Sequence, residues 1–515
     1  MPHVPGTIPR VLTAAAVLAA VTVVATGQPA AATSAHTPAT LVQKVTGPDS
    51  PNDTWGRWNV KATDLGIMWD NGSGQVLTAF GDTFGDAWVG PGGGGFGPGD
   101  VNWRSNVLLR STDTNLSDGM SFASAVIGAD GRAREVVPGL HQGNDDGGEV
   151  TKIPTAGIAV GSRQYMSFMS VRHWGVPGQW DTNYARIAYS DDNGNTWVTS
   201  GTPTWNNPGG TNRFQQQAFV RNGGYVYVYG TPSGRLGSLY VARVPEAQVL
   251  TQSAYRYWNG SAWVATESAA TAIVSGPVAE LSVRYDSYSA KWLMMYLRGE
   301  DIVLQSATSP TGAWSAPQIA VSSADYPGLY GGFFHPWSAN GTLYFLMSQW
   351  NPYNVYLMKV SINTAGQIVK PNLVGDPSFE RGALNGSGTG GFWACTGNCG
   401  IDNARWGYSG DRNAYARYNS GWQDVHQTVP VAANTTYQLT GYLRTSPNSD
   451  NGFFGVRSTA NAVIGEVNYR AVGPWTRFTV TFNSGSRTSV VVYGGVWTDH
   501  GDIWVQLDDV SLSAV

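Results

Sequence analysis

The sequence predicts an all-β protein, a five-bladed β-propeller followed by a jelly-roll β-sandwich. Three observations carry that expectation. First, 65 Gly and 27 Pro among 515 residues, with charged residues at 13%, are the wrong composition for bundles or coiled coils. Second, nearly every patterned segment alternates with period two, as in Tyr225-Val226-Tyr227-Val228-Tyr229, Trp292-Leu293-Met294-Met295-Tyr296-Leu297 and Leu343-Tyr344-Phe345-Leu346-Met347. These runs are short, aromatic and β-branched, and bounded by Gly, Asn, Asp or Pro, which is the signature of strands. Third, Ser190-Asp191-Asp192-Asn193-Gly194-Asn195-Thr196-Trp197 fits S-x-D-x-G-x-x-W, a hairpin turn that recurs in propeller blades. There the Asp caps backbone amides, the Gly takes a positive φ, and the Trp packs between blades. The turn marks a fold and carries no chemistry.

The elements follow in chain order. Residues 1–32 read as a signal peptide: Arg10 closes a basic start, Val11 to Thr26 is uncharged and apolar, and Ala30-Ala31-Ala32 fits an A-x-A cleavage site. No later stretch reaches the roughly 20 apolar residues of a spanning helix. A secreted, extracellular protein with no membrane partner is expected. Residues 40–370 contain hairpin clusters near 60–110, 147–200, 213–265, 275–320 and 330–365, one per blade, within the usual range of blade numbers. Weaker relatives of the turn occur at Arg110-Ser111-Thr112-Asp113 and Ser309-Pro310-Thr311-Gly312-Ala313-Trp314. The pattern changes at Pro371. Residues 371–515 open on Asn372-Leu373-Val374-Gly375-Asp376-Pro377-Ser378-Phe379-Glu380 and close on Leu507-Asp508-Asp509-Val510-Ser511-Leu512. These ends resemble the first and last strands of jelly-roll carbohydrate-binding modules. Six Trp in this stretch supply both core and sugar-stacking platforms. Cys395 and Cys399 are the chain's two cysteines and, in an exported protein, read as a small disulfide loop. The net charge of −4 supplies no basic field for nucleic acid. A monomer is expected.

Propellers concentrate chemistry where the innermost strands converge. Thr63 to Gly85 reads as strand, turn, strand, and centring the hairpin on Ser73 sets Asp64 directly against Asp82. Opposed Cβ atoms lie about 4.5–5.5 Å apart. Two carboxylates that close split their pKa values, as one acid and one base or nucleophile in glycoside cleavage require. A bulge would instead turn them to opposite faces. Glu149 starts a strand after the loop holding Asp145 and Asp146, and is a candidate third carboxylate. Glu280 and Arg284 flank the strand Leu281–Tyr285, free to pair with each other or to turn Glu280 into the site. Arg104 and Asn106 have the spacing to share one strand face and donate to sugar hydroxyls. His173-Trp174 and His335-Pro336-Trp337 set imidazole beside indole, a sugar-subsite pattern that blade cores also show. The glycine-rich loop Gly90–Gly99 is followed by no helix and is no phosphate cradle.

Thr63-Asp64-Leu65-Gly66, Gly81-Asp82-Thr83-Phe84-Gly85, Arg104-Ser105-Asn106-Val107-Leu108 and Glu280-Leu281-Ser282-Val283-Arg284-Tyr285 resemble the domain-of-unknown-function family 4185. Members of it are classed as glycoside hydrolase family 183, the endo-D-arabinanases. The resemblance covers about residues 40 to 365. It implies a five-bladed propeller that cleaves α-linked D-arabinofuranan of bacterial walls, with Asp64 and Asp82 as the catalytic pair and no cofactor in catalysis. The module's own resemblance implies a structural Ca²⁺ held by Glu380 with Asp508 or Asp509, since hard oxygen ligands suit calcium. Two other functions compete, a sialidase suggested by the turn at Ser190 and a lectin suggested by the aromatic abundance. A sialidase needs an arginine trio that no motif marks here. A propeller lectin with a second sugar module would hold polysaccharide without shortening it.

Overall fold

The computed structural model describes residues 37–90, 103–144, 147–369, 372–382, 384, 391–404 and 406–514. The expected signal peptide, most of the glycine-rich loop, Asp145 and Asp146 lie outside them. Strands dominate the regular structure of the described residues; their one α-helix is Thr54–Trp58, and no helix among them is long and apolar enough to cross a membrane.

Five antiparallel sheets follow one another in the chain and form the blades of a β-propeller. Their innermost strands are Ala62–Asp70, Thr151–Val160, Gln216–Asn222, Ala279–Asp286 and Leu329–Phe334. Each contacts the next, and the fifth contacts the first, so the ring closes. The closing contact has a chain-end component. Thr40–Lys44, before blade one, pairs antiparallel with Asn354–Ile362 of blade five and becomes part of that sheet. Apolar side chains fill the seams between blades. Trp69, Leu77 and Leu108 of blade one pack with Met166, Phe168 and Ala188 of blade two. The turn at Ser190 behaves as its pattern predicts. Asp192 Oδ1 accepts Thr196 N–H at 2.8 Å, Gly194 has φ +81°, and Trp197 meets Trp69 edge-on across the seam at 6.3 Å.

The C-terminal part is a sandwich of two five-stranded sheets. One runs in the order Ala394–Thr396, Gly421–Pro430, Ser489–Thr498, Gly452–Arg457, Val463–Tyr469. The other runs Cys399–Asp402, Asn413–Tyr418, Ile503–Ala514, Thr436–Thr445, Thr476–Asn483. Cys395 and Cys399 are disulfide-bonded. The second sheet lies against the propeller. Tyr442 donates to Val42 O, Lys44 N–H donates to Tyr408 Oη at 2.8 Å, and Tyr408 and Tyr442 stack at 3.8 Å. Tyr408, Tyr442 and Trp475 belong to the same apolar cluster as the fifth blade, so one core runs through both parts.

Candidate active site

The site is set by where the inner strands begin. Asp64, Thr151, Gln216, Glu280 and Tyr330 are each within the first three residues of their strands, so one end of the central channel gathers them. Four of these five strands have an irregular register near that end. In blade one, Ala62 and Thr63 pair with Phe84 and Thr83, and Ile67 to Asp70 pair with Ala79 to Val76, as the turn at Ser73 predicts. Between them Leu65 slips to Phe80, with Leu65 at φ +65° and Gly66 at φ +91°. The expected direct opposition of Asp64 and Asp82 is therefore corrected: a bulge takes Asp64 out of the ladder. A bulge re-aims a side chain at the expense of a pairing, and bulges concentrate at functional rims. Here Asp64 turns toward blade five and Asp82 toward blade two.

Asp64 Oδ2 accepts the Tyr330 hydroxyl at 3.0 Å, and the Tyr353 hydroxyl also bonds this carboxyl. Its other oxygen is buried with no hydrogen bond. Only a glycine fits beneath it: a Cβ on Gly81 would lie 2.4 Å from Asp64 Oδ1. Burial, then the charge of Asp82, push the Asp64 carboxyl up to about 8, against the two tyrosine bonds. Asp82 is 6% exposed, and its Oδ1 accepts Thr151 Oγ1 at 2.7 Å and Trp103 Nε1 at 2.8 Å. Burial raises it to about 6, held there by those two bonds and by the charge of His141. At neutral pH the pair is thus one protonated acid and one carboxylate.

A second charged pair stands behind Asp82. His141 Nε2 lies 2.7 Å from Glu135 Oε1, and its ring meets Trp103 edge-on at 4.4 Å. Glu135 is fixed by the backbone N–H of Ser105 at 2.6 Å and of Gly139 at 3.3 Å. The bond to Glu135 raises the His141 pKa and favours the imidazolium. Glu280, at φ +41°, adds a third carboxylate beside Asp64. Arg235 Nε and Nη2 grip its Oε1 at 2.9 and 2.7 Å, while Oε2 is buried without a hydrogen bond. Arg235 also lies over the Tyr330 ring at 5.4 Å.

The other sequence candidates separate by position. His173 and Trp174 stand on the mouth side of blade two, where Asn144 O and Oδ1 hold them at 3.1 and 2.6 Å. Glu149 is near the mouth, but Leu140 N–H at 3.0 Å, Ser170 Oγ at 2.7 Å and Lys152 at 3.2 Å occupy it. It braces the loop that carries His141 and is no free third carboxylate. Arg104 and Asn106 are struts, not sugar donors. Arg104 donates to Ala133 O and Asn59 O, and Asn106 bonds Val137 O, Lys152 O and the amides of Val136 and Val137. Arg284 does not pair with Glu280; it donates to His335 O and Ser338 O at the far end of the channel. His335 and Trp337 are at that far end too, beyond the last residue of the fifth inner strand. Burial lowers His335 to about 3, and Trp337 Nε1 donates to Asp70 Oδ2 at 2.7 Å. They are removed from the mouth by the length of the channel.

The calcium expectation also changes. Among the described residues no three His, Cys, Asp or Glu side chains come together so as to hold a metal. Glu380 Oε1 instead accepts the amides of Asp411 and Arg412 at 2.9 and 2.8 Å, and Asp508 those of Tyr408, Ser409 and Asp509. Asp509 is buried, and burial raises it to about 7 against hydrogen bonds from Ser409 and Tyr326.

Sequence reasoning missed Tyr330, Tyr353, Trp103, Thr151, Arg235 and the Glu135–His141 pair. For Thr151 and Tyr330 the usable signal was place, since both open an inner strand.

Residues 49–359 match the family model described as "Domain of unknown function (DUF4185)". The chain belongs to this family. Among similar proteins, Notoamide biosynthesis cluster protein J of Aspergillus sp. (strain MF297-2) is 35% identical over 312 residues, covering 57% of this chain and 81% of that protein. Protein J' of Aspergillus versicolor is 34% identical over 312 residues, covering 57% and 82%. A solved exo-beta-1,3-galactanase from Phanerochaete chrysosporium aligns over 93% of this chain and 100% of its own, at 11% identity and TM-score 0.40. A glycoside hydrolase family 43 arabinoxylan arabinofuranohydrolase from Bacillus subtilis covers 92% and 99%, at 11% and 0.36. Both structural likenesses are distant.

Proposed function

We propose that this chain is a secreted, endo-acting glycoside hydrolase that cleaves α-linked D-arabinofuranosyl bonds in cell-wall D-arabinan. The observation that carries the reading is the unequal aspartate pair at the propeller mouth, with Asp64 near 8 and Asp82 near 6. Glycoside cleavage needs a proton donor for the leaving oxygen and a carboxylate on the other side of the anomeric carbon. Asp64 is the donor: it is protonated at neutral pH, and its free Oδ1 leaves a lone pair and a proton position unclaimed by the protein. Asp82 is the carboxylate, fixed by Thr151 and Trp103 and kept ionised by His141. The positive charge that forms on the sugar is stabilised by that anion. The anomer of the first product decides whether Asp82 attacks the sugar or deprotonates a water. The choice of D-arabinan rests on the family resemblance of the four motifs around Asp64, Asp82, Arg104 and Glu280.

The test incubates the purified chain with D-arabinan from arabinogalactan, beside plant L-arabinan, and follows released oligosaccharides. A ladder from D-arabinan alone, absent in Asp82→Asn, is expected. Bound but unshortened D-arabinan would make the chain a lectin.

A further inference from the structure

Asp64 is placed by blade five, and the mouth loops of blade five are placed by the sandwich. The hydroxyls of Tyr330 and Tyr353 both bond the Asp64 carboxyl. Tyr353 also holds the backbone there, since its O accepts the amide of Thr63 at 2.9 Å. Each tyrosine follows or ends a loop on the mouth side of its blade. Residues 322–328 lead into the inner strand Leu329–Phe334, which carries Tyr330. Residues 350–353 join the next two strands and end on Tyr353.

The C-terminal part grips both loops. In the first, Asp325 is 0% exposed, Arg381 Nη2 donates to its Oδ1 at 2.9 Å, and Ser378 Oγ donates to its backbone O. The next residue, Tyr326, is buried, and its hydroxyl bonds Asp509. At the second loop, Gly410 N–H donates to Gln349 Oε1 at 3.2 Å, and Asn351 Nδ2 donates to Asp411 Oδ1. Gln349 is buried as well, and its Nε2 reaches Pro327 O at 3.5 Å, which ties the two loops together. The gripping segment is itself fixed, because Glu380 and Asp508 accept the amides of residues 408, 409, 411 and 412. Loops are the mobile part of a scaffold, whereas a group in catalysis has to be held to about 0.5 Å by what surrounds it.

We propose that the sandwich is a structural part of the catalytic site: through Arg381 and Asp411 it fixes the two blade-five loops, and with them the Tyr330 and Tyr353 hydroxyls that orient Asp64. Arg381 and Asn351 are positioning residues and touch no substrate. The proposal rests on the reading of Asp64 as the acid. It makes the C-terminal part necessary even for substrates too short to reach it.

The test follows cleavage of a short, soluble D-arabinan oligosaccharide by full-length chains. In Asn351→Ala and Arg381→Ala, kcat should fall by about tenfold or more while KM stays within about twofold, because a small misplacement of a reacting group is felt in the transition state. Asp64 is faced by Tyr330 and Tyr353 of blade five, Asp82 of its own blade, Glu280 of blade four and Arg235 of blade three. Of these only the tyrosines are carried by the gripped loops, and their bonds hold the Asp64 pKa down. The alkaline limb of the rate should therefore move to higher pH in both variants, with the acid limb in place. Arg381→Lys should restore part of the rate. Arg417→Ala, which breaks an exposed ion pair with Asp502 inside the sandwich, should change neither rate nor profile. Arg381→Ala strands the buried Asp325 charge, so a melting temperature accompanies each variant; Asn351→Ala strands no charge and keeps the test open if Arg381→Ala unfolds. Unchanged kcat and alkaline limb in folded Asn351→Ala overturn the proposal while leaving the enzyme. A second readout needs no activity: ¹³C-carboxyl NMR of aspartate-labelled chain, with Asp64 identified by its loss in Asp64→Asn. If the wild-type chain cleaves nothing but Asn351→Ala raises the Asp64 titration, only the enzyme reading falls. An Asp64 titration that Asn351→Ala does not move overturns the coupling.

Discussion

The two ends of the propeller channel are built from the same five strands and differ in which polar groups they gather. At the far end Arg284 is spent on carbonyls, Trp337 on Asp70, and burial keeps His335 neutral. At the mouth the ladder is broken. Asp64 and Glu280 each keep a buried oxygen without a hydrogen bond, and Leu65, His141, Glu280 and Tyr353 have positive φ. Non-glycine residues in that region cost on the order of 1 kcal/mol each and persist where the surroundings over-determine them. The far end also keeps buried atoms without a hydrogen bond, Arg284 Nε and His335 Nε2; the mouth differs in gathering three interacting carboxylates, Asp64, Asp82 and Glu280. That gathering of carboxylates is what the proposed chemistry rests on.

The sharpest way to break the comparison is to remove the pair. Asp82→Asn and Asp64→Asn should each lower the rate of D-arabinan shortening by about 10³-fold, within the range of acid–base groups. Trp337→Phe at the far end should leave the rate within about twofold. Equal losses at both ends would dissolve the distinction. Gly81→Ala should fall nearly as far as Asp64→Asn, because its Cβ would enter the space of Asp64 Oδ1. A smaller effect separates the two aspartates. His141→Gln removes a positive charge that holds Asp82 down, so the acid limb of the rate should move to higher pH while the alkaline limb stays.

The smallest effect is on stability, and its sign is opposite to that on rate. A carboxyl at 3.8 in the unfolded chain and about 8 when folded binds its proton more tightly in the fold. Its contribution to stability is fully present below about 4 and is lost as pH rises toward 8. Asp64→Asn should therefore melt above wild type at pH 8, with the gap closing toward pH 4.

The all-β class and the blade units were legible because period-two alternation and turn residues are local signals. The opposition of Asp64 and Asp82 was not, although the turn at Ser73 set the flanking register correctly. A slip of one residue at Leu65 depends on Ser348, whose Oγ accepts the Leu65 amide from 283 residues away. Arg104 and Asn106 misled for a related reason: the spacing that shares one face says nothing of the carbonyls waiting there. Tyr330, Tyr353 and Arg235 reach Asp64 from blades five and three, contacts that exist only once the ring closes.

The most direct measurement is the pH dependence of D-arabinan shortening between pH 4 and 10. An unequal buried pair predicts a bell, with limbs near 6 for Asp82 and near 8 for Asp64, and loss of activity in either asparagine variant. A rate that is flat from pH 5 to 9, or an acid limb near 4 with no alkaline limb below 9, would contradict the assignment of acid and base to these two residues.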